Sequence, residues 1–227
     1  MDESHTKNKN YGVFGFSGRL GREVVSLFKE NCYKMVYGRD DTEEIKDSNP
    51  SFLIDCSLAV CFDENLEIAE KFSVPLIVAI TGLTEQQMQK LKLFSAKIPV
   101  VQSNNFSYGI QVMLNLVKNA DERLKDWDVE VTEVHHRFKK DKPSGTAEML
   151  KNAIKKENIN ISSLRLGNVF GEHTVKFGGL GEVISITHSA TSRRTFAEGI
   201  LKSAQFIIDK QNGFYSFSNV VNNNFKK

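Results

Sequence analysis

A chain of 227 residues with 40% hydrophobic and 26% charged residues is an ordinary globular mix, which excludes disorder and fibre and allows one large domain or two small ones. Thirty Lys and Arg against twenty-eight Asp and Glu leave a formal charge of +2, too little to imply a nucleic-acid or membrane partner. The longest apolar runs, such as VPLIVAI at 74–80, fall far short of the roughly 20 residues that cross a bilayer.

Residues 1–10 are polar and lack the apolar core of a signal peptide, so a short frayed lead-in and a cytoplasmic chain are expected. Cys32, Cys56 and Cys61 have no CxxC spacing and are expected to be reduced and structural. His5, His135, His136, His173 and His188 include no HxxxH pair, so no metal is expected.

In chain order, NYGVF opens a first strand, three glycines follow, and Val24, Val25, Leu27 and Phe28 alternate with charges as in an amphipathic helix. Residues 33–40 and 50–57 read as strands two and three, Pro50 standing at an entrance where its missing N–H is harmless. DENLEIAEKFS is a helix with Leu66, Ile68, Ala69 and Phe72 as an imperfect apolar stripe. VPLIVAITG is a fourth strand, TEQQMQKLKLFSAK a helix and IPVVQS a fifth strand. Strands alternating with helices at this spacing predict a parallel sheet covered on both faces.

After residue 107 the texture changes. Residues 108–125 form a long amphipathic helix, WDVEVTEVHH alternates as an antiparallel strand does, and SGTAEMLKNAIKKE is a helix with Pro143 suited to its first turn. Residues 162–192 are short alternating segments with glycine turns, so this part is α+β. RTFAEGILKSAQFIIDKQ is a closing helix expected to return to the first unit. The predicted organisation is a dinucleotide-binding domain of residues 1–106 and 193–227, and an α+β domain of residues 107–192, joined near 105 and 193.

Gly15-Phe16-Ser17-Gly18-Arg19-Leu20-Gly21 lies where strand passes into helix, the place where a pyrophosphate meets free N–H groups at the positive end of a helix dipole. Three glycines there also serve tight packing. Ser17 replaces the second glycine of the usual fingerprint, so it must point away from the phosphates or bond them. The second strand ends Tyr37-Gly38-Arg39-Asp40. Arg39 favours the 2′-phosphate of NADPH, Asp40 leaves NADH open, and a solvated loop arginine is the bland alternative.

The stretch EVHHRFKKDKPSGTA, 133–147, follows. It resembles the E-x-HHRxKxDxPSGTA signature of the 4-hydroxy-tetrahydrodipicolinate (dihydrodipicolinate) reductase family. GFSGRLG is similar to that family's GxxGRMG loop, NNFSYGIQVML to its (A/N)NFS-x-G-x-N-VM segment, and the segment from GEHTVKF to TFAEG to its C-terminal part; the likeness runs from about 11 to 217. It implies a cytoplasmic homotetramer with a Rossmann NAD(P)H domain and a second domain for substrate and assembly. The implied reaction reduces dihydrodipicolinate to tetrahydrodipicolinate in lysine and diaminopimelate biosynthesis. Carried onto matching positions, His135 and Lys139 are acid–base and proton-donor residues, His136 contacts the small dicarboxylate substrate, and Gly145 and Thr146 grip a carboxylate. The implied cofactor contacts are Gly15, Phe16, Ser17, Gly18, Arg19, Leu20, Arg39, Ala79, Ile80, Thr81, Ser103, Asn104, Asn105 and Phe106.

Residue chemistry suits these roles. A small ring with two carboxylates needs positive charge and N–H donors, then hydride on one carbon and a proton beside it. Lys139 can attract a carboxylate and donate a proton, and a histidine exchanges protons near neutrality. Ser144 and Thr146 are hydroxyl donors, and Gly145 lets a carboxylate reach backbone N–H groups at a helix start. Adjacent histidines on a strand face opposite sides, so one of them can equally pack or cap. Arg137 and Lys140 read as solvated, and Arg193 as either a substrate contact or a structural pairing.

Three departures stand out. Lys142 replaces the usual Ala of DAPSGTA, Ile80 replaces a hydroxyl residue in AITG and leaves only backbone or packing contacts, and Gly38 stands where many members carry an acid. Two other readings compete: an oxidoreductase for a different small amino or keto dicarboxylate, and a nucleotide-binding sensor without catalysis. The proton donors at His135 and Lys139 argue against the sensor.

Overall fold

The computed structural model describes residues 9–223; the expected lead-in through Asn8, with His5, and the last four residues of the closing domain lie outside them. By its contacts the chain divides into two units, one running to Phe106 and resuming at Phe196, the other Ser107–Thr195.

The first unit begins with β1 (Asn10–Phe14), α1 (Arg19–Glu30) and β2 (Lys34–Arg39). A short β3 (Glu44–Lys46) folds back antiparallel on β2 through a turn in which Asp40 Oδ1 accepts from the Thr42 and Glu43 amides at 3.0 Å each. Then come β4 (Leu53–Asp55), a 3-10 turn (Ala59–Cys61), α2 (Phe62–Phe72), β5 (Leu76–Val78), α3 (Glu85–Phe94) and β6 (Pro99–Gln102). Thr84 caps α3 through a capping box with Gln87. After the second unit the chain adds α6 (Arg194–Ile207), β11 (Gly213–Ser216) and α7 (Phe217–Asn223).

The seven strands lie in the order β11-β6-β5-β4-β1-β2-β3, all parallel except β3. The order reverses between β1 and β4, where a doubly wound sheet opens a crevice at the carboxyl ends of its strands. Phe14, Tyr37, Leu53, Val78, Ile80 and Val100 fill one side of the sheet with α2 and α3, and Tyr11 stacks with Phe52 and Phe28 on the other. The closing helix α6 buries Ala197, Ile200, Ala204 and Ile207 in this unit, as its apolar stripe requires.

The second unit contains α4 (Tyr108–Arg123), β7 (Asp128–His135), α5 (Gly145–Asn152), β8 (Asn160–Arg165), β9 (Glu172–Gly178) and β10 (Val183–Ser189). Its four strands run β10-β9-β7-β8; β7 is antiparallel to β9 and parallel to β8, a mixed sheet. Ile110, Met113 and Val117 of α4 and Ala147 and Leu150 of α5 pack on Val131, Val175 and Phe177, so one sheet face is covered.

Three local expectations change. Ser144, not Pro143, opens α5: its hydroxyl accepts the Ala147 amide at 3.2 Å, and Pro143 precedes the cap. The same helix ends at Asn152 instead of reaching 157, because Asp121 on α4 takes the Lys155 amide at 2.9 Å and Asn158 turns to φ 55°. Cys32 is exposed in a left-handed turn after α1, whereas Cys56 and Cys61 are partly buried; none forms a disulfide.

Candidate active site

In the first unit a cavity of about 770 Å³ lies at the β1/β4 switch point, walled by the loops after β1, β2 and β4 and by the start of α2. Gly15, Ser17, Gly18, Arg19 and Arg39 of the expected nucleotide set line it, together with Arg22 and Ser57. The loop needs its glycines: a Cβ on Gly15, which has φ 76°, would lie 2.9 Å from Ser57 Cα, and one on Gly21 would lie 2.1 Å from the Gly15 carbonyl oxygen. Gly18 is the N-cap of α1, supplies no side-chain cap, and is followed by Arg19 and Arg22 with no acid in the first turn. Open amides and two cations there fit an anion such as a pyrophosphate.

Asp55, at the end of β4, braces the opposite wall. Its carboxylate accepts the Ser57 amide at 3.0 Å, the Ser57 hydroxyl at 2.6 Å and the Asn65 amide group at 3.2 Å. Burial raises its pKa to about 6 against the pull of those donors. The neighbouring Ser17 hydroxyl, together with the Thr42 and Glu43 donors, lowers the Asp40 pKa to about 2. Phe16 lies instead against Gly38, where a Cβ would come within 3.1 Å of its ring, so glycine at 38 serves packing as well as the absence of an acid.

The remaining expected contacts stand elsewhere. Leu20 is partly buried in α1, and Ala79 to Thr81 and Ser103 to Phe106 follow β5 and β6 at the same carboxyl edge of the sheet without lining this cavity. The Ile80 side chain is in the hydrophobic core, leaving its backbone as the available contact. Ser103 Oγ donates to the Asn105 carbonyl oxygen at 2.7 Å, Gln102 donates to Asn104 at 3.2 Å, and Phe106 packs on Phe217.

The second unit holds a buried polar cluster that grows out of strand periodicity. On β7, Val131, Glu133 and His135 share one face; the first is core, and the next two are buried polar groups. Register places His173 of β9 opposite Glu133 and Arg165 of β8 opposite His135, so four side chains converge. Glu133, with no exposed surface, accepts from Arg165 at 2.8 and 2.9 Å, from the Ser144 amide at 3.3 Å and from His135 Nδ1. Burial pushes the Glu133 carboxyl up, but Arg165, Ser163 and His135 more than offset it and hold it at about 2. An ionised Glu133 assigns the His135 proton to Nδ1 and leaves Nε2 for chemistry. Burial lowers the His135 pKa, with Lys139 and Arg165 adding to the effect against Glu133.

His173 stands edge-on to His135 with ring centroids 5.0 Å apart, and its Nε2 meets the Ser144 hydroxyl at 3.2 Å. Burial and the neighbouring His135 lower its pKa to about 3, so it is neutral. Gly171 borders His135: a Cβ there would lie 3.0 Å from Nε2. Arg165 also ties down the β7–α5 loop, donating to the Lys139 carbonyl at 3.3 Å and the Asp141 carbonyl at 2.5 Å. Lys139 Nζ is 2.8 Å from Asp141 Oδ1. His136 is buried beside Phe138, while Arg137, Lys140 and Lys142 are exposed.

Ser144 is not an open donor as the sequence suggested, since its hydroxyl is committed to the α5 cap and His173; Gly145 is the part-exposed start of that helix and Thr146 is buried. Arg193 lies over the Phe170 ring at 5.1 Å. Glu133, His135 and His173 each offer a ligand atom within 4.8 Å of the others, a spacing a metal could use. Arg165 already supplies positive charge to both Glu133 oxygens, which disfavours a second cation. Sequence reasoning passed over Glu133, Arg165, His173 and Gly171. Period-two spacing from His135 would have found Glu133; Arg165 and His173 needed the strand register.

A switch-point cavity on a doubly wound sheet and a buried acid–base cluster in an α+β unit are the parts of a nucleotide-binding enzyme, and the family matches make it an oxidoreductase of the pyridine-nucleotide class. The sequence matches the dihydrodipicolinate reductase C-terminus over residues 109–221 and the N-terminus over 29–106, the latter starting downstream of the glycine loop. A 4-hydroxy-tetrahydrodipicolinate reductase of Thermosipho africanus is 42% identical over 215 residues, 95% of this chain and 99% of the relative. One of Caldanaerobacter subterraneus is 35% identical over 243 aligned positions, 92% of this chain and 96% of its own. The chain belongs to the dihydrodipicolinate reductase family. A solved structure, a dipicolinate-bound dihydrodipicolinate reductase from Paenisporosarcina sp. TG-14, shares the fold with TM-score 0.72 at 20% identity, covering 92% of this chain and 98% of that one.

Proposed function

We propose how this chain performs the reaction its family is named for, the pyridine-nucleotide-dependent reduction of 4-hydroxy-tetrahydrodipicolinate, through dihydrodipicolinate, to tetrahydrodipicolinate in lysine and diaminopimelate biosynthesis. The observation that carries the reading is the Arg165–Glu133–His135 chain beside the Lys139 loop. When bound, the dihydronicotinamide supplies hydride to one carbon of the substrate ring. His135, oriented through Nδ1 by Glu133, exchanges a proton at Nε2. Water is lost from the 4-hydroxyl before the hydride arrives; charged Lys139, released from Asp141, draws a substrate carboxylate and then gives the one proton the reduction needs. Gly145 and Thr146 at the start of α5 seat a carboxylate, its charge favoured by the helix dipole, and His136 contacts the ring.

Residues 15–20 and Arg39 hold the nucleotide, with the loops after β5 and β6 completing the contacts along the sheet edge. Arg39 is the residue offered to a 2′-phosphate, so NADPH is the preferred reductant and NADH is accepted. The second unit serves substrate binding and assembly. Its sheet face away from α4 and α5 presents Leu164 and Val183, which supports a homotetramer built through that face. The cytoplasm is its proposed place.

The deciding assay follows NADPH or NADH absorbance while the condensation product of pyruvate and aspartate semialdehyde is supplied enzymatically. Oxidation of the nucleotide is expected; none with either would refute the reading. Light scattering tests the tetramer.

A further inference from the structure

Arg39, which the sequence offers to a 2′-phosphate, already has an anionic partner. Its Nη2 pairs with Oε1 of Glu64, in the first turn of α2, and both residues line the cavity. Of the other acids nearby, Asp41 also lines the cavity, while Asp40 and Glu44 have partners of their own. Asp40 Oδ1 is taken by Thr42 and Glu43, and Glu44 by the Tyr37 hydroxyl at 2.9 Å and Lys46 at 2.9 Å. Position 38 carries no acid, and Glu64 reaches Arg39 from a different element.

We infer that Glu64 sets the cofactor selectivity of this enzyme by competing with the 2′-phosphate for Arg39. A 2′-phosphate carries close to two negative charges; it must take the guanidinium from Glu64 and then lie beside that carboxylate. A ribose 2′,3′-diol is neutral. It accepts from Arg39 and donates to Glu64 with the ion pair intact. Glu64 thus penalises NADPH and leaves NADH nearly untouched, which keeps both usable in a site whose strand end otherwise favours the phosphate.

This rests on the reading that the cavity holds the adenosine end of the nucleotide, and the test separates the two. NADPH and NADH are titrated into the full chain by dihydronicotinamide fluorescence, with 2′,5′-ADP and 5′-AMP as competing probes, for wild type and Glu64→Gln. The pair is solvent-exposed and contributes little to stability, so the variant folds, which a thermal melt checks. The expected result is an NADPH-to-NADH affinity ratio raised about tenfold, with 2′,5′-ADP gaining over 5′-AMP by a similar factor. An unchanged ratio, or one moving toward NADH, overturns the inference while the cofactor reading stands. A shift of equal size in an Arg39→Ala background also overturns it, because the competition would not run through Arg39. A wild type that binds neither nucleotide sinks the cofactor reading and this inference with it.

Discussion

Replacing Glu133 by Gln tests the cluster on two independent scales. The substitution keeps the shape and removes the charge that faces Arg165, His135 and the Ser144 amide, and a carboxamide can accept from only one side. Arg165, 14% exposed at its side chain, is left without its anion, a loss that costs about 3–5 kcal/mol when a buried pair is broken from one side. The pKa gives a similar magnitude: a carboxyl held at about 2 against an ordinary 4.5 corresponds to about 3 kcal/mol. The sign is that of a depressed carboxylate. The contribution is complete above pH 4.5 and is lost as pH falls toward 2, so the variant loses stability at neutrality and less at low pH. Kinetically, His135 loses the group that fixes its tautomer, and kcat falls by about 10²–10⁴. NADPH affinity, set in the other unit, changes little. The measurements are urea denaturation at pH 7 and pH 4 and steady-state kinetics across pH. An unchanged pH–rate profile with kcat within a factor of a few of wild type would refute the positioning role, even if stability dropped.

Other outcomes follow from the same geometry. Lys139→Ala is expected to cut turnover far more than nucleotide binding, read as kcat against fluorescence Kd; an equal loss of NADPH affinity would assign the lysine to the wrong site. Gly171→Ala puts a methyl 3.0 Å from His135 Nε2, and about a tenfold or greater loss of kcat is expected with nucleotide affinity intact. Two buried groups pull acid stability in opposite directions. His173, at about 3 when folded, takes up a proton on unfolding below pH 6.5 and costs about 1.4 kcal/mol per pH unit down to 3. Asp55, raised to about 6, binds its proton first in the folded state and adds stability between pH 6 and 3.8. Denaturant melts from pH 7 to 4 should therefore show a steeper acid loss in Asp55→Asn and a shallower one in His173→Asn; the reverse order would contradict both assignments.

The large elements were legible because each carries its own period. The β1–α1 passage needs only an apolar run, glycines where a Cβ would strike Ser57 or the Gly15 carbonyl, and an amphipathic helix, all within about twenty residues. What escaped is what depends on a neighbour. β3 is three residues long and exists because Asp40 closes a turn, and β11 is four residues that become a strand by pairing with β6. The candidate site divides the same way. His135, Lys139 and the start of α5 lie within one continuous stretch, and their chemistry suggested a proton-delivery pair beside a carboxylate seat. Arg165 and His173 are thirty or more positions from His135 and reach it only through register, so no local pattern announces them. Ser144 shows the cost of that blindness: its hydroxyl looked free because the sequence cannot place His173 beside it. Glu64 is the same case in the other unit, for the acid that the β2 end appeared to lack comes from a helix twenty-five residues on. In both sites the residues proposed to touch ligand were readable locally, and those proposed to tune them were supplied by the fold.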